Sequence, residues 1–241
     1  MNLLPLRHYT ACKRHSFRLV PALIAGIALT GSSFPSDSAA TVYRYRHTKG
    51  TTVDTVFRSI RVADNKVVIS YADLPYMTSR AVCGMDFRIF SWCFEDKETG
   101  YAVTAERMGD TIRIAGQKGK KPVRKSFPID GSPWYQAMEF SLLPFLKGCS
   151  QTCEFWMIRP TDMNAFKMNA RRDGMDTVLV DGRSQKVLRV MLSPSGIAGK
   201  FWKATYWYCA NDFSFVKCSL PQGIPGSPPV IIESIGTATA D

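Results

Sequence analysis

Histidine is nearly absent from this chain. Its 241 residues hold three: His8, His15 and His47. The first two fall in a leader described below, so a Ser-His-Asp or Cys-His site would have to use His47. That residue sits on an alternating stretch, where an exposed or edge position is expected. No G-x-S-x-G, H-E-x-x-H or G-x-x-x-x-G-K-[ST] pattern occurs, which leaves out the nucleophile elbow, the zinc protease helix and the phosphate loop. No C-x-x-C pair is present either, so the common redox spacing is missing. Glu95, Asp96 and Glu98 are neighbouring acids, but they run into Gly100 and read as a solvated turn rather than a glycosidase pair. No cofactor motif remains, and the reading is of a non-enzyme.

Long apolar runs are also scarce. Leu19–Gly31 is the one near the N-terminus, and it has 13 residues. As a helix it would rise about 20 Å, short of a hydrocarbon core of roughly 30 Å. Arg7, Lys13, Arg14 and Arg18 precede it, and Ser38-Ala39-Ala40 ends the small polar stretch after it. Basic residues, a short apolar core and a small-x-small site are the parts of a secretory signal, with cleavage expected after Ala40. No cysteine follows the apolar run until Cys83, so the lipidated-cysteine signal is absent. The expected product is exported, most simply to a bacterial periplasm.

Acids are outnumbered, 20 against 31 Lys and Arg, for a net charge of +11. The leader carries four of the bases and one of the acids, so the mature chain keeps +8. Export removes nucleic acid as a partner. The densest basic stretch is Lys118, Lys120, Lys121, Arg124 and Lys125. It reads as a charged loop or edge strand, with contact to an anionic envelope surface as the functional alternative.

Cys12 lies in the leader. The other six cysteines, Cys83, Cys93, Cys149, Cys153, Cys209 and Cys218, form an even set. In an oxidising compartment three disulfides are expected, with the connectivity open. Pairing Cys209 with Cys218 meets a geometric obstacle. A tight turn at Asn211-Asp212 sets Cys209 opposite Ser214, about 13 Å along the strand from Cys218, whereas a disulfide needs Cα atoms within about 7 Å. With a single mature histidine and no C-x₂-C spacing, a zinc site is not expected.

What the mature chain has is alternation. Tyr43, Tyr45 and His47 interleave with Arg44 and Arg46. Val53–Val62 and Lys66–Tyr71 flank Ala63-Asp64-Asn65. Tyr101–Arg107 and Thr111–Ala115 flank Met108-Gly109-Asp110. Ala165–Ala170 and Asp176–Val180 flank Arg171-Arg172-Asp173-Gly174, and Asp181-Gly182 leads to Lys186–Leu192. Strands joined by short Gly, Asp and Asn turns predict an antiparallel meander. One helix is expected near 133–145. Ser132 suits an N-cap, Pro133 suits the first helical position, and Trp134, Met138, Leu142 and Phe145 share a face. Residues 41–220 read as one domain. Residues 221–241 read as a Pro/Gly-rich extension with a possible last strand over Val230–Ile235.

Val187–Gly196, then Phe201-Trp202-Lys203-Ala204-Thr205-Tyr206-Trp207-Tyr208, then the return Phe213–Lys217, resembles an uncharacterised family of exported bacterial envelope proteins. Its pattern is a strand ending near proline, a Trp-rich strand of the form Phe-Trp-x-Ala-x-Tyr-Trp, and a hairpin return. The resemblance implies an all-β half-barrel, a curved antiparallel meander with one helix over its concave face, similar to lipoprotein-sorting carriers. It implies no catalytic residue.

Several strands have an uncharged face. Trp202, Ala204, Tyr206 and Tyr208 form one, Phe155 and Met157 another, Leu188, Val190 and Leu192 a third, with Phe215 joining the first. With Trp134, Met138 and Leu142 above them, these residues make either a core under the helix or a cleft for an acyl chain or similar apolar ligand. A structural or assembly role at the envelope is the second reading, and a hydrolase a distant third. The leader yields a direct test: intact mass of exported protein is expected to start at Thr41, and recovery of Met1 would defeat the signal assignment.

Overall fold

The computed structural model describes residues 39–74, 76–180, 182–222 and 227–239; the leader lies outside them. The fold is a curved, open antiparallel half-barrel with one helical segment, as the alternation predicts. Eight strands come first: β1 (Thr41–Lys49), β2 (Thr52–Ala63), β3 (Lys66–Leu74), β4 (Met77–Gly84), β5 (Ile89–Asp96), β6 (Tyr101–Met108), β7 (Thr111–Lys118) and β8 (Lys121–Pro128). Two short helices follow, α1 (Met138–Ser141) and α2 (Leu143–Lys147). Six strands complete the sheet: β9 (Thr152–Arg159), β10 (Asn164–Val180), β11 (Arg183–Pro194), β12 (Ala204–Cys209), β13 (Phe215–Leu220) and β14 (Val230–Thr239).

The order across the sheet is β8-β7-β6-β5-β4-β3-β2-β1-β14-β13-β12-β11-β10-β9. Two meanders therefore meet where β1 pairs with β14, from Thr41↔Thr239 to Lys49↔Val230. The segment expected as a C-terminal extension supplies a strand in the interior of the sheet, hydrogen-bonded on both sides. Turn chemistry shapes the hairpins. Asp64 and Asn65 both have positive φ, 52° and 56°, giving the two-residue turn whose twist suits a hairpin. Gly116 lies where β7 crosses β6 so closely that a Cβ would overlap the Ala102 carbonyl and the Val103 Cα.

The turn expected at Arg171–Gly174 is not a turn. β10 runs straight through it for 17 residues, with a bulge that sets Asp173 and Gly174 against Arg189 alone. Gly174 takes φ 101°. The Asp173 carboxylate accepts from Arg171 Nη2 at 2.8 Å and from Arg189 Nε at 3.0 Å, so charge on both sides holds the bulge inside the strand.

The two ends of the sheet are β8 and β9. The basic stretch lies on the first of them. Lys118, Lys120 and Lys121 surround the β7–β8 turn, and Arg124 and Lys125 lie on β8, which pairs only with β7. Lys125 Nζ reaches across to the Asp162 carbonyl at 2.7 Å and Asn164 Oδ1 at 2.8 Å, tying the β8 end to the β9–β10 turn. The β9 edge is covered by the crossover before the helices. Trp156 N donates to Pro133 O at 2.7 Å and Tyr135 N to Trp156 O at 2.9 Å.

The six described cysteines are free thiols, so the expected three disulfides are not found among the described residues. The faces of the strands explain it. Cys218 lies in the core of the concave side, while Cys209 packs with Val178, Val187 and Val216 in a separate cluster. Cys83 is buried beside Ile89 and Trp92, but Cys93, between inward Trp92 and Phe94, is exposed. Cys149 is exposed and Cys153 half-buried beside the concave core. Burial pushes the Cys83 thiol up to about 12 and raises Cys218 as well. A thiol reagent is therefore expected to modify Cys93 and Cys149 in native protein, and Cys83, Cys209 and Cys218 only after denaturation. Denatured, non-reduced protein that yields no thiols would restore the bridged form.

Candidate functional site

The concave face is where the sequence places its candidates. Met138, Leu142, Phe155, Leu188, Val190, Tyr206 and Phe215 are all buried in one cluster, and Met157 and Trp202 pack half-buried against it. Trp134 does not join them. It is buried in the neighbouring cluster on the β3–β7 side, with Phe94, Val103 and Ile158.

Trp134 also lies outside the helix. The expected start at Ser132-Pro133 is displaced to Met138, because residues 133–136 are extended along the β9 edge and Trp134 bridges Trp156 in parallel. The Gln136 amide continues that pairing through its side chain, donating to Ile158 O and accepting from Ile158 N. Satisfying an edge strand's backbone outweighs a favourable cap. The helix that results has Ala137 at its N-cap and no side-chain cap. Its C-terminal end is held from the sheet: Arg172 Nη2 donates to Phe145 O and Leu146 O, both at 2.9 Å, and to Gly148 O at 2.6 Å. A cation on the last carbonyls also complements the helix dipole.

The ten residues from Met138 to Lys147 thus cover the concave face. Met138, Leu142, Phe145 and Leu146 point to the cluster built on β9–β14 and β1. Phe140 points to the cluster built on β3–β7. Between them lies a polar feature that the sequence reading missed. Arg58 on β2 and Glu139 on α1 are 4% and 8% exposed, and their Nε and Oε1 atoms are 3.6 Å apart. Tyr71 on β3 donates its hydroxyl to Glu139 Oε2 at 3.4 Å. The Arg58 guanidinium lies over the Tyr71 ring at 4.3 Å and the Tyr45 ring at 5.7 Å. Tyr208 donates to the Met138 carbonyl at 2.8 Å. Burial foremost, with the Glu139 charge adding, pushes the Tyr71 and Tyr208 phenols well above their ordinary range, so they stay neutral donors.

A signal for the pair existed. Arg58 occupies the inward phase of β2, in step with Val56, and Glu139 sits between Met138 and Phe140 in a helix buried at every residue. A pocket of about 120 Å³ reaches Tyr71 from the β3–β5 side, between Met77, Ser79, Trp92, Phe94 and Gln136.

His47, expected at an exposed or edge position, is half-buried in β1 between β2 and β14, with Nδ1 enclosed and without a hydrogen-bond partner among the described residues. Burial lowers its pKa. Asp96 is used up by its own turn, accepting from Glu98 N at 2.9 Å and Thr99 Oγ1 at 2.6 Å.

No protein-family model matches the chain, and no curated protein does. Among solved structures it is similar to a β-barrel-like protein of a domain of unknown function (DUF1849) from Brucella abortus. The TM-score is 0.53 at 7% identity, covering 84% of this chain and 98% of that one. This establishes the half-barrel as the fold. A hypothetical lipoprotein, YmcC, from Escherichia coli aligns over 83% of this chain and 85% of its own, with 12% identity and a TM-score of 0.38. A LolA-superfamily protein from Nitrosomonas europaea aligns over 86% and 88%, with 8% identity and a TM-score of 0.27.

The buried pair makes a stability prediction. Removing one partner, as in Arg58→Met or Glu139→Leu, is expected to cost about 3–5 kcal/mol, because a buried charge loses one of its opposite-charge contacts. The double variant is expected to recover most of that loss. Urea unfolding of the four proteins checks it; additive losses would show that the two charges do not act as a pair.

Proposed function

We propose that this is an exported, non-catalytic envelope protein that binds a hydrophobic or lipid-like ligand between sheet and helix. The observation that carries the reading is the cover of the concave face. An aromatic-rich surface spanning β9–β14 and β1 is closed by ten residues without an N-terminal side-chain cap, over a buried ion pair. A buried pair holds an interface less firmly than apolar groups of the same shape, so the helical segment is the element that gives way. Its displacement opens a cleft walled by Phe155, Leu188, Val190, Tyr206 and Phe215. Met138, Leu142, Phe145 and Leu146 fill that space, as the cover of a closed state would. The leader supports export, and the single half-buried histidine supports a non-catalytic role. An assembly role on an anionic envelope surface rests on a different observation, the cluster of Lys118, Lys120, Lys121, Arg124 and Lys125 on the β7–β8 hairpin at the edge of the sheet.

The sequence suggests Trp134→Asp as a test, but Trp134 is fully enclosed and its indole N–H is bound to Gln136 Oε1, so that variant would report on folding. Leu142→Ala is the better probe. Leu142 is buried under the helix, and its truncation is expected to lower stability by about 2–5 kcal/mol. By loosening the plug it is expected to tighten saturable binding of the neutral probe N-phenyl-1-naphthylamine. Wild type and variant that both fail to bind the probe saturably would show the concave face to be a core and nothing more.

A further inference from the structure

Two large apolar side chains stand in water on one loop. Between β11 and β12 the chain makes a 3₁₀ turn (Ile197–Lys200), and Ile197 and Phe201 are 76% and 85% exposed. A single exposed apolar residue is ordinary, but this loop is built to hold both out. Gly199 packs so closely on Pro194 that a Cβ would lie 2.2 Å from the Pro194 carbonyl oxygen. Gly196 takes φ 76°, a conformation that favours glycine. Ser195 N donates to Lys167 O at 2.8 Å and ties the loop to β10. Trp202 roots it from the other side, half-buried against the concave cluster. Adjacent aromatics thus part company, Trp202 to the core and Phe201 to solvent.

The charges on the loop are of one sign. Lys200 and Lys203 are exposed beside the two apolar side chains, and residues 182–211 hold no Asp or Glu. Alternating strand directions gather the turns that follow the odd-numbered strands at one end of the sheet. On one side of the loop, residues 221–229 between β13 and β14 are uncharged, and the β1–β2 turn beyond them carries the exposed Lys49. On the other side, Asp162 of the β9–β10 turn is paired with Arg159. We propose that this loop is a membrane contact: Ile197 and Phe201 enter the acyl boundary of a bilayer containing anionic phospholipid, while Lys200 and Lys203 meet its phosphates. Apolar tips flanked by cations are the chemistry of interfacial attachment. A bilayer takes both kinds of group at their own depths, with ammonium groups level with the phosphates and apolar tips below them. The core of a protein–protein interface, by contrast, is depleted of lysine. This contact needs no opening of the concave face, so it stands apart from ligand binding.

The test is flotation of exported protein with vesicles of phosphatidylcholine, alone or with phosphatidylglycerol added. Binding to the anionic vesicles is expected to exceed binding to phosphatidylcholine by about tenfold or more, and to weaken in high salt. Phe201→Ser with Ile197→Ser is expected to lower it by about tenfold or more, and Lys200→Gln with Lys203→Gln by a similar factor. All four side chains are exposed, so the urea midpoint of each variant is expected to match wild type. Lys120→Gln with Lys121→Gln, on the β7–β8 turn, supplies an equal charge change at the same end of the sheet and is expected to cost less. Wild type that ignores anionic vesicles would overturn the contact. So would loop variants that bind as well as wild type, or a larger loss from the β7–β8 variant. Dimerisation of wild type in solution, abolished by Phe201→Ser, would overturn it as well, by making the loop an interface between copies. Binding of N-phenyl-1-naphthylamine by the same variants is expected to equal that of wild type, so the outcome on vesicles leaves the concave cleft untouched.

Discussion

An open sheet with one apolar face has to cover that face, and in this protein the cover is ten residues long. Everything else in the architecture serves that constraint. The pairing of β1 with β14 turns two meanders into one surface, and so places the Tyr45, Phe215 and Ile232 side chains within a single concave cluster. The bulge in β10 turns Arg172 onto the carbonyls at the end of α2. The crossover along β9 fixes where the chain leaves the edge, and therefore where the helix begins. Because the helical segment is too short for lasting stability by itself, its position is set by these external contacts, and by burial of residues on both of its flanks.

That dependence makes the Arg58–Glu139 pair informative. The strands already supply Leu, Val, Phe and Tyr in quantity, and apolar residues in place of both charges would pack without a desolvation cost. A charged pair at the seam between the two clusters joins the helix to the sheet through an electrostatic contact. Three phenols crowd the same region, Tyr45, Tyr71 and Tyr208, all kept neutral by burial. They supply rings for the cation and hydroxyls for oxygen acceptors, which is the chemistry of a polar nest inside an otherwise dry face.

The period-two pattern made the sheet legible, and the Asp64-Asn65 and Asp110 turns made most of the hairpins so. What the alternation could not supply is phase across an irregularity. Tyr206 and Tyr208 point inward, which sends Cys209 outward; Phe215 also points inward, and simple alternation would send Cys218 outward with Cys209. The bulge between Trp207 and Tyr208 inserts Val216 and returns Cys218 to the concave core. One extra residue exchanges the faces of everything beyond it. The same blindness hid the bulge at Asp173-Gly174, where a turn-like string of residues lies within a strand. The helix start failed for another reason. Ser132-Pro133 is a sound local signal, but the open edge of β9 is 22 or so residues away in sequence and its unpaired backbone is a stronger demand.

The candidate face was legible as apolar strands, since burial and alternation are both local. Its polar centre was not, because Arg58 and Glu139 are separated by most of the first meander and the crossover. Each alone is an ordinary charged residue. Only their phase marks them: Arg58 falls in step with Val56, and Glu139 lies in a run where neighbours on both sides are apolar. A charge that alternation assigns to the inside must meet its partner inside, and in a half-barrel the inside is roofed by the one helix. That argument, made from β2 alone, already points to an acid on 138–147, where Glu139 is the only one.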